Sequence, residues 1–273
     1  MSGDEKVLGL VGSPNRDGLT NQLVSSALKG VERAGATTEL VQMSDYIVEA
    51  CRDCLPWVCA ENLKCTYNDE NLEILSQKIL DCNGLILGTP VYWGDTSAMV
   101  RYLFIKILRI YARSGPLWGL PAFGIAIAGG SGNGLISGLR PIYHFFRTMR
   151  FRAIDPLPVT RFNLESSKEK AEKSGYQLAE MIKDRRPFET RDECLLWYDR
   201  LPYLGYSHAD ERRLLAAITS EAVPEDKKRD INGDLTKVEI LAASGRTLES
   251  VNEIATIYDS CIEILSKKAE QSK

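Results

Sequence analysis

The segment that decides the fold is VLGLVGSPNRDGLTNQLVSSALKGVERAG, residues 7–35. It opens with a short apolar run, Val7 to Ser13, that ends in a turn rich in Gly, Pro and Asn, which predicts a buried strand. Apolar residues at helical spacing follow and predict an amphipathic helix: Leu19, Leu23, Val24, Leu28 and Val31. Gly35 suits the end of that helix.

The alternation of strand and helix continues to about residue 185. Four more β-rich runs are present at 37–43, 84–90, 121–130 and 152–161, and helical patterns lie between and after them at 71–82, 96–113, 134–150 and 165–184. Pro141 is expected either to kink the third of these helices or to mark a late start. This order predicts a five-stranded parallel sheet, in the order 2-1-3-4-5, with helices on both faces. We assign this α/β domain to residues 1–185.

Residues 186–273 break the alternation and predict a mainly helical C-terminal extension. Residues 187–207 are aromatic and irregular, and residues 223–237 are rich in charge and turn formers, which predicts a linker or exposed loop. Residues 208–222 predict a helix capped by Ser207, and residues 247–271 predict a long amphipathic helix. The extension carries no chemical motif, so we predict a role in packing or oligomerisation.

The composition is that of an ordinary globular protein and excludes some function classes. The chain has 273 residues, 44% hydrophobic and 26% charged, with a formal net charge of -3, which argues against a nucleic-acid-binding surface. Neither a secretory signal nor a membrane-spanning apolar run is evident. We therefore expect a cytoplasmic protein.

Three polar or glycine-rich loops follow strands, where ligands bind in open α/β sheets. The loop GSPNRDGLTNQ (12–22) places hydroxyls, amides and backbone N–H groups at a helix N-terminus, which suits a phosphate monoester. The loop GTPVYWGDTSA (88–98) carries adjacent aromatic rings that can wall in a planar ligand. The loop AGGSGNG (128–134) lets backbone approach a ligand closely. Each loop could also be a plain connection whose residues only pack or turn.

A fourth loop, after the second strand, holds four of the seven cysteines: Cys51, Cys54, Cys59 and Cys65. In a reducing compartment, clustered cysteines are more often metal-binding or catalytic than disulfide-bonded. Cys82, Cys194 and Cys261 are scattered, so we predict packing roles for them.

The loops 12–23 and 88–104 together resemble the NADPH-dependent FMN reductase branch of the flavodoxin-like superfamily. The resemblance covers about residues 5–185, and the cysteine loop is similar to that of iron–sulfur flavoproteins. It implies FMN as cofactor, homodimers or homotetramers, and flavin near subunit interfaces. The FMN contacts that it implies are Ser13, Asn15, Gly18, Thr20 and Asn21 for the phosphate and Pro90, Val91, Tyr92, Trp93, Gly94, Gly129 and Gly130 for the ring.

The resemblance also implies that the four cysteines bind a [4Fe-4S] cluster. The family motif is C-x2-C-x2-C followed by a fourth cysteine, whereas this chain reads C-x2-C-x4-C-x5-C, with two additional residues in the second gap. Pro56 lies in that gap, and a loop there can absorb the insertion. A four-cysteine zinc site, a Cys51–Cys54 redox pair, and cysteines that bind nothing are the alternatives.

We therefore predict an FMN-dependent oxidoreductase that couples FMN to a cluster for two-to-one-electron conversion. Its donor and acceptor stay open among NAD(P)H, ferredoxin, a quinone and O2-derived species. The alternatives are an NAD(P)H-dependent FMN or quinone reductase without a cluster, a non-catalytic electron carrier or regulatory module, and a flavin-free binding protein. No catalytic side chain is predicted, because His144 and His208 are isolated in the sequence.

Overall fold

The computed structural model describes residues 5–52, 54 and 58–271, with side chains to residue 267. Its sheet has the strand order β2-β1-β3-β4-β5, with β6 also paired to β4, and every pairing is parallel. The strands are β1 (Lys6–Val11), β2 (Thr37–Gln42), β3 (Gly84–Pro90), β4 (Pro121–Ala128), β5 (Arg152–Ala153) and β6 (Leu157–Thr160). The predicted order 2-1-3-4-5 is confirmed.

The fifth position of the sheet is shared by β5 and β6. We predicted one strand over 152–161, but the chain pairs with β4 at residues 152–153 and again at 157–160. Asp155 and Pro156 lie in the interruption, and Pro156 has no N–H to donate to a strand partner.

Six helices flank the sheet in this part of the chain: α1 (Leu19–Arg33), α2 (Val58–Asn62), α3 (Glu70–Leu80), α4 (Ala98–Tyr111), α5 (Leu135–Thr148) and α6 (Leu164–Ile182). α1 and α6 share a core cluster with one face of the sheet, and α3, α4 and α5 share another with the opposite face. α5 begins well before Pro141 and runs through it, so a late start at the proline is wrong. The predicted two-sided packing of the sheet is confirmed.

α1 and α6 cross at unusually close range because each has a glycine at the contact. A Cβ added to Gly30 would lie 1.8 Å from the backbone oxygen of Glu172, and one added to Gly175 would lie 1.8 Å from that of Ala27. No side chain fits in that space. The two helices therefore pack backbone against backbone.

The C-terminal residues form four helices within the described part: α7 (Arg191–Asp199), α8 (His208–Glu221), α9 (Glu225–Ala243) and α10 (Thr247–Gln271). Ser207 caps α8 in a reciprocal capping box, as predicted. Two expectations were wrong, because the irregular segment contains α7 and the expected linker is most of α9. Ile231, Leu235 and Val238 form a narrow apolar stripe on α9 that packs in a small core with α8 and α10.

α7 packs against the sheet domain. The hydroxyl of Tyr198 donates to the Phe151 carbonyl at 2.8 Å, and the indole N–H of Trp197 donates to the Ala153 carbonyl at 2.8 Å. The division of the chain at residue 185 stays a prediction. Over the described residues, no helix combines the length and the apolar character needed to cross a membrane.

Candidate functional site

The β1–α1 loop (residues 12–18) presents the start of α1 without a side-chain cap. Gly18 occupies the N-cap position, no side chain accepts a hydrogen bond there, and the first turn contains no acidic residue. The first N–H groups of a helix need partners and carry a partial positive charge. Arg16, the one cation of the loop, pairs with Asp45. The backbone of α1 is therefore the main positive feature available to an anion.

The predicted phosphate contacts are distributed around this helix end. Ser13 and Thr20 are buried, whereas Asn15 is exposed and Asn21 is half-buried. The Ser13 hydroxyl accepts from the Asn15 N–H at 3.2 Å, and the Asn15 side chain accepts from the Asp17 N–H at 3.1 Å. These local bonds hold the loop in a turn beside the N-terminus of α1.

The β3–α4 loop (residues 91–97) projects its aromatic residues outward. Tyr92 and Asp95 exchange backbone hydrogen bonds of 2.9 and 3.1 Å around a two-residue turn. Trp93 and Gly94 in that turn have φ values of +52° and +76°, as a type I′ turn requires. Trp93 has 106% relative exposure and Tyr92 has 49%, so both rings face away from the core. A positive φ at a bulky, fully exposed residue is uncommon, and such strain concentrates at functional sites.

The turn is braced by an ion pair that sequence reasoning missed. The Arg101 guanidinium donates to both carboxylate oxygens of Asp95, at 3.0, 3.2 and 2.8 Å. Burial alone would raise the pKa of Asp95, but these bonds and the Thr96 N–H hold it below its usual value. Asp95 and Arg101 lie six residues apart, so their spacing carries no recognisable motif.

The glycines of the β4–α5 loop (residues 129–134) divide into two kinds. Gly132 and Gly134 have φ values of +79°, and a Cβ on Gly134 would lie 2.5 Å from the Cα of Gly94. Gly129 and Gly130 have no positive φ, and a Cβ there would meet nothing within 4 Å. The fold of the chain therefore requires glycine at 132 and 134 but not at 129 and 130. The backbone does not explain the glycines at 129 and 130, whereas close approach of a ligand would explain them.

These three loops form one continuous edge of the sheet, which we call the ligand edge. The Ser97 hydroxyl donates to the Gly12 carbonyl at 2.6 Å, which joins the first loop to the second. The Val91 N–H donates to the Ile127 carbonyl at 2.8 Å, which joins the second loop to β4. The structure thus brings together the predicted contacts of both the phosphate and the ring.

The four clustered cysteines line a single pocket. Cys51, Cys54, Cys59 and Cys65 all contribute to it, its cavity volume is about 10 Å3, and no disulfide joins them. The sulfur atoms of Cys54 and Cys59 are 3.8 Å apart. Hydrogen bonds from Thr66 and Cys59 hold the pKa of Cys54 below its ordinary value. The segment thus gathers four reduced thiols, one of them biased toward thiolate, around one space.

Cationic side chains of α4 form the opposite wall of this cysteine pocket. Lys106 is buried and pairs with the buried carboxylate of Asp69, and the Arg109 guanidinium donates to the Cys54 carbonyl at 3.0 Å. Asp69 also accepts from the Leu72 N–H at 3.0 Å and from the Glu49 N–H at 3.1 Å. The pair therefore joins both ends of the cysteine segment to α4. Sequence reasoning missed it because the two residues lie far apart in the chain.

The four thiols do not form a preassembled site for a metal ion in the described part of the chain. All four cysteines are among the described residues, and within that part of the chain no three His, Cys, Asp or Glu side chains converge closely enough for a single metal ion. Residues 55–57, which include Pro56 and most of the longer gap, lie outside the described residues.

The other three cysteines are buried away from this pocket, as predicted. Cys82, Cys194 and Cys261 are between 0% and 5% exposed. Burial raises the pKa of Cys82 to about 12 and raises those of Cys194 and Cys261. Such thiols are unreactive.

Known proteins are similar to this chain in sequence. The family model described as NADPH-dependent FMN reductase matches residues 5–155, more than half of the chain. An iron–sulfur flavoprotein of Methanocaldococcus jannaschii is 39% identical over 98 residues, covering 36% of this chain and 49% of the relative. The chain thus spans about half the length of that relative. A second iron–sulfur flavoprotein of the same organism is 29% identical over 142 residues, covering 52% of this chain and 70% of the relative.

A solved structure supports the fold. The NAD(P)H:quinone oxidoreductase from Methanothermobacter marburgensis superposes with a TM-score of 0.52 at 16% identity, over 64% of this chain and 96% of that chain. At that identity the similarity concerns the fold alone. The matched sequence family, the parallel sheet and the composition of the ligand edge agree. The chain belongs to the NADPH-dependent FMN reductase family, a group of flavodoxin-like flavoprotein oxidoreductases.

Proposed function

We propose that this protein is an FMN-dependent oxidoreductase that couples FMN to a [4Fe-4S] cluster. The observation that carries the proposal is that the structure gathers two separate sets of residues, the ligand edge and the four-cysteine pocket, at the two ends of α4. Ser97, just before α4, belongs to the ligand edge and donates to the Gly12 carbonyl. Lys106 and Arg109, near the other end of α4, line the pocket. When bound, FMN would exchange electrons in pairs or singly and a cluster would exchange them singly, which allows two-to-one-electron conversion.

At the ligand edge, we assign the FMN phosphate to the uncapped N-terminus of α1. Ser13, Asn15, Gly18, Thr20 and Asn21 surround that helix end, and its N–H groups and dipole favour an anion without an added cation. The family match supports this assignment, because it covers the whole loop.

We assign the flavin ring to the space bordered by the second and third loops. The contacts would come from Pro90, Val91, Tyr92, Trp93, Gly94, Gly129 and Gly130. The rigid turn at residues 92–95 would fix the aromatic rings beside the flavin, and the two glycines would let backbone approach it closely. These residues position the flavin and exclude water from one side of it.

At the pocket, Cys51, Cys54, Cys59 and Cys65 would supply the four thiolates of the cluster. Arg109 would offset part of their negative charge, and the Lys106–Asp69 pair would hold the segment against α4. Net charge and hydrogen bonds around the sulfurs set the potential of such clusters. We also propose action in a reducing, cytoplasmic compartment as a homodimer or homotetramer, with NAD(P)H or a protein such as ferredoxin as electron donor.

The second candidate is an NAD(P)H-dependent FMN or quinone reductase without a cluster. It is favoured by the absence, among the described residues, of three side chains that converge on one metal position. A non-catalytic electron carrier or regulatory module would share the ligand edge but would not turn over.

Anaerobic purification with analysis of FMN, iron and sulfide tests the proposal. We expect one FMN and about four irons per chain, with charge-transfer absorption that overlaps the flavin bands. Cys65→Ala should lose most of the iron and keep the FMN, whereas Cys261→Ala, in the core of the C-terminal helices, should keep both. Zinc, or FMN without iron, would reject the cluster.

Steady-state oxidation of NADH and NADPH with a dye acceptor separates an enzyme from a carrier. Turnover with either nucleotide supports a reductase. A flavin-loaded sample that oxidises neither nucleotide, but accepts electrons from reduced ferredoxin, would identify a protein donor instead. A sample that does neither contradicts the enzymatic proposal.

A further inference from the structure

A cavity of about 300 Å3 lies between α5 and the segment that follows α7. Arg140, His144 and Arg147 line it from α5, and they fall on one face of that helix because they are four and three residues apart. Asp199, Leu201 and Leu204 line it from the other side. Its size is at the lower end of small-molecule sites, and it combines charged groups with an apolar wall.

The two arginines of this cavity have no carboxylate partner in the described part of the chain. Arg140 donates to the backbone carbonyls of Leu204 and Tyr206, which fixes its position without a direct ion pair. Arg147 lies 3.3 Å from Nδ1 of His144. Because a guanidinium can only donate, this contact is a hydrogen bond in the His144 tautomer that carries its proton on Nε2. The site therefore presents two cations beside an imidazole.

The surroundings of His144 disfavour its protonated form. Burial, together with the positive charges of Arg147 and of Arg101 on α4, lowers the pKa of His144. Arg140 and Asp199 are the other charged groups that line the cavity. A bound anion would oppose the repulsion from the arginines and favour the imidazolium. Protonated His144 could no longer accept from Arg147, so that guanidinium would become free to bind the anion.

The cavity is separate from the ligand edge and from the cysteine pocket. The matched family region ends at residue 155, whereas Asp199, Leu201 and Leu204 come from the chain beyond it. The cavity thus depends on C-terminal residues that the family model does not include.

We propose that this cavity binds a phosphorylated small molecule of about nucleotide size. Arg140 and Arg147 would hold the phosphate through charged, multiply hydrogen-bonded contacts, which guanidinium groups form well with phosphate. Once protonated, His144 would donate from both ring nitrogens. Asp199 would accept from a hydroxyl of the ligand, and Leu201 and Leu204 would cover its apolar part.

Imidazole NMR on the protein as purified tests this proposal directly. The chain has two histidines, His144 and His208, so His208 serves as an internal reference. Titrations are recorded with pyrophosphate, ADP and 2′,5′-ADP, and a His144→Gln variant assigns the signals. We expect a bound phosphate to raise the pKa of His144 by about one unit and to leave His208 unchanged. A response to pyrophosphate alone identifies a phosphate site, and a response restricted to the two nucleotides identifies a nucleotide site.

Calorimetry with Arg147→Gln provides a second measurement. We expect the variant to bind the most effective of the three probes at least about tenfold more weakly, because one charged hydrogen-bond donor is lost. Lys29→Gln, which removes the same charge from the exposed face of α1, should bind as the unmodified protein does. The proposal fails if none of the probes raises the pKa of His144, or if citrate raises it as strongly as the phosphates do. It also fails if Arg147→Gln binds the probe as tightly as the unmodified protein does.

Discussion

At the scale of single residues, Trp93 has the conformation least expected from its type. A bulky L-residue at a φ of +52° is strained, and the ring contributes nothing to the core because it is fully exposed. Stability alone would favour glycine at this position, as at Gly94. The sequence indicated that an aromatic residue lies at the ligand edge, but the strain became visible only in the backbone.

We expect Trp93→Gly to separate stability from binding. Relief of the left-handed strain should leave the free energy of unfolding unchanged or raise it by about 1 kcal/mol. FMN affinity should fall about twofold to tenfold, since one aromatic contact with the ring is lost. Urea unfolding and fluorescence titration with FMN measure the two effects.

Leu63→Gly is the matched control, because Leu63 is also exposed and has a φ of +50° away from the ligand edge. It should gain similar stability and keep the FMN affinity. Equal FMN affinity in Trp93→Gly and the unmodified protein would remove Trp93 from the proposed site.

Lys106 is the second residue whose role comes from packing. Its ammonium pairs with the buried Asp69 beneath the cysteine segment. We expect Lys106→Met to lower the free energy of unfolding by about 3–5 kcal/mol, because Asp69 would remain buried without its partner. The double variant Lys106→Met/Asp69→Asn should recover part of that loss. Lys64→Met, which breaks the exposed pair with Glu73, should change little.

The effect of Lys106→Met should depend on pH in a defined direction. Burial alone would raise the pKa of Asp69, but the bonds from Lys106 and from two backbone N–H groups hold it below its usual value. A carboxylate with a lowered pKa stabilises the folded state at neutral pH, and that contribution is lost as the pH falls through the folded-state pKa. The stability difference between Lys106→Met and the unmodified protein should therefore shrink in acid. A constant difference from neutral pH to well below pH 4 would contradict the assigned role.

At the scale of elements, the crossing of α1 and α6 depends on two glycines that look unfavourable in a helix. Alanine is usually better than glycine in a helix interior, but the space at Gly30 and Gly175 is filled by the backbone of the other helix. The sequence showed both helices without showing that they touch. Contact between helices follows from the order of the strands, which is a tertiary property.

We expect Gly30→Ala to lower the free energy of unfolding by at least about 2 kcal/mol, because the helices must separate to admit the methyl group. Gly233→Ala in α9, where nothing lies within 4 Å of the added Cβ, should instead raise it by about 0.5–1 kcal/mol. Thermal or urea unfolding of the two variants shows whether each change raises or lowers the free energy of unfolding. A stabilising Gly30→Ala would show that the crossing is looser than described.

The element predictions that failed share a physical cause. α9 is mostly exposed, so its many charges and its Asn-Gly pair resemble a loop, and only Ile231, Leu235 and Val238 mark its buried face. α7 is short, and Thr190 caps it by accepting from the Glu193 N–H at 3.0 Å. In both cases the packing partners stabilise a helix that the local pattern leaves ambiguous.

At the scale of the whole molecule, the C-terminal helices contact the loop between β4 and α5. The Tyr258 hydroxyl of α10 donates to the carbonyl of Ser131, and the buried Glu211 of α8 accepts from the Ile136 N–H at 3.3 Å. Residues beyond the matched family region thus support a loop of the ligand edge. Whether they also make contacts between subunits stays a prediction.

We expect Tyr258→Phe to loosen this loop without unfolding the protein. Loss of one hydrogen bond should lower the free energy of unfolding by about 1 kcal/mol or less. Amide hydrogen exchange at residues 129–134 should become faster, since the loop loses its attachment to α10. Tyr176→Phe removes a hydroxyl from an exposed side chain of α6. It is the control and should leave that exchange unchanged. Unaltered protection in Tyr258→Phe would show that the contact does not restrain the loop.

The sequence by itself determined the alternation of strands and helices, the edge of the sheet where the polar loops meet, and the grouping of the cysteines. These follow from patterns within a few residues, which reflect local periodicity and turn chemistry. Only the tertiary structure decided the strained turn at Trp93, the Lys106–Asp69 pair, the glycine crossing and the cavity between α5 and the C-terminal residues. Each of those joins residues whose proximity depends on how whole elements pack, and no local pattern encodes that distance.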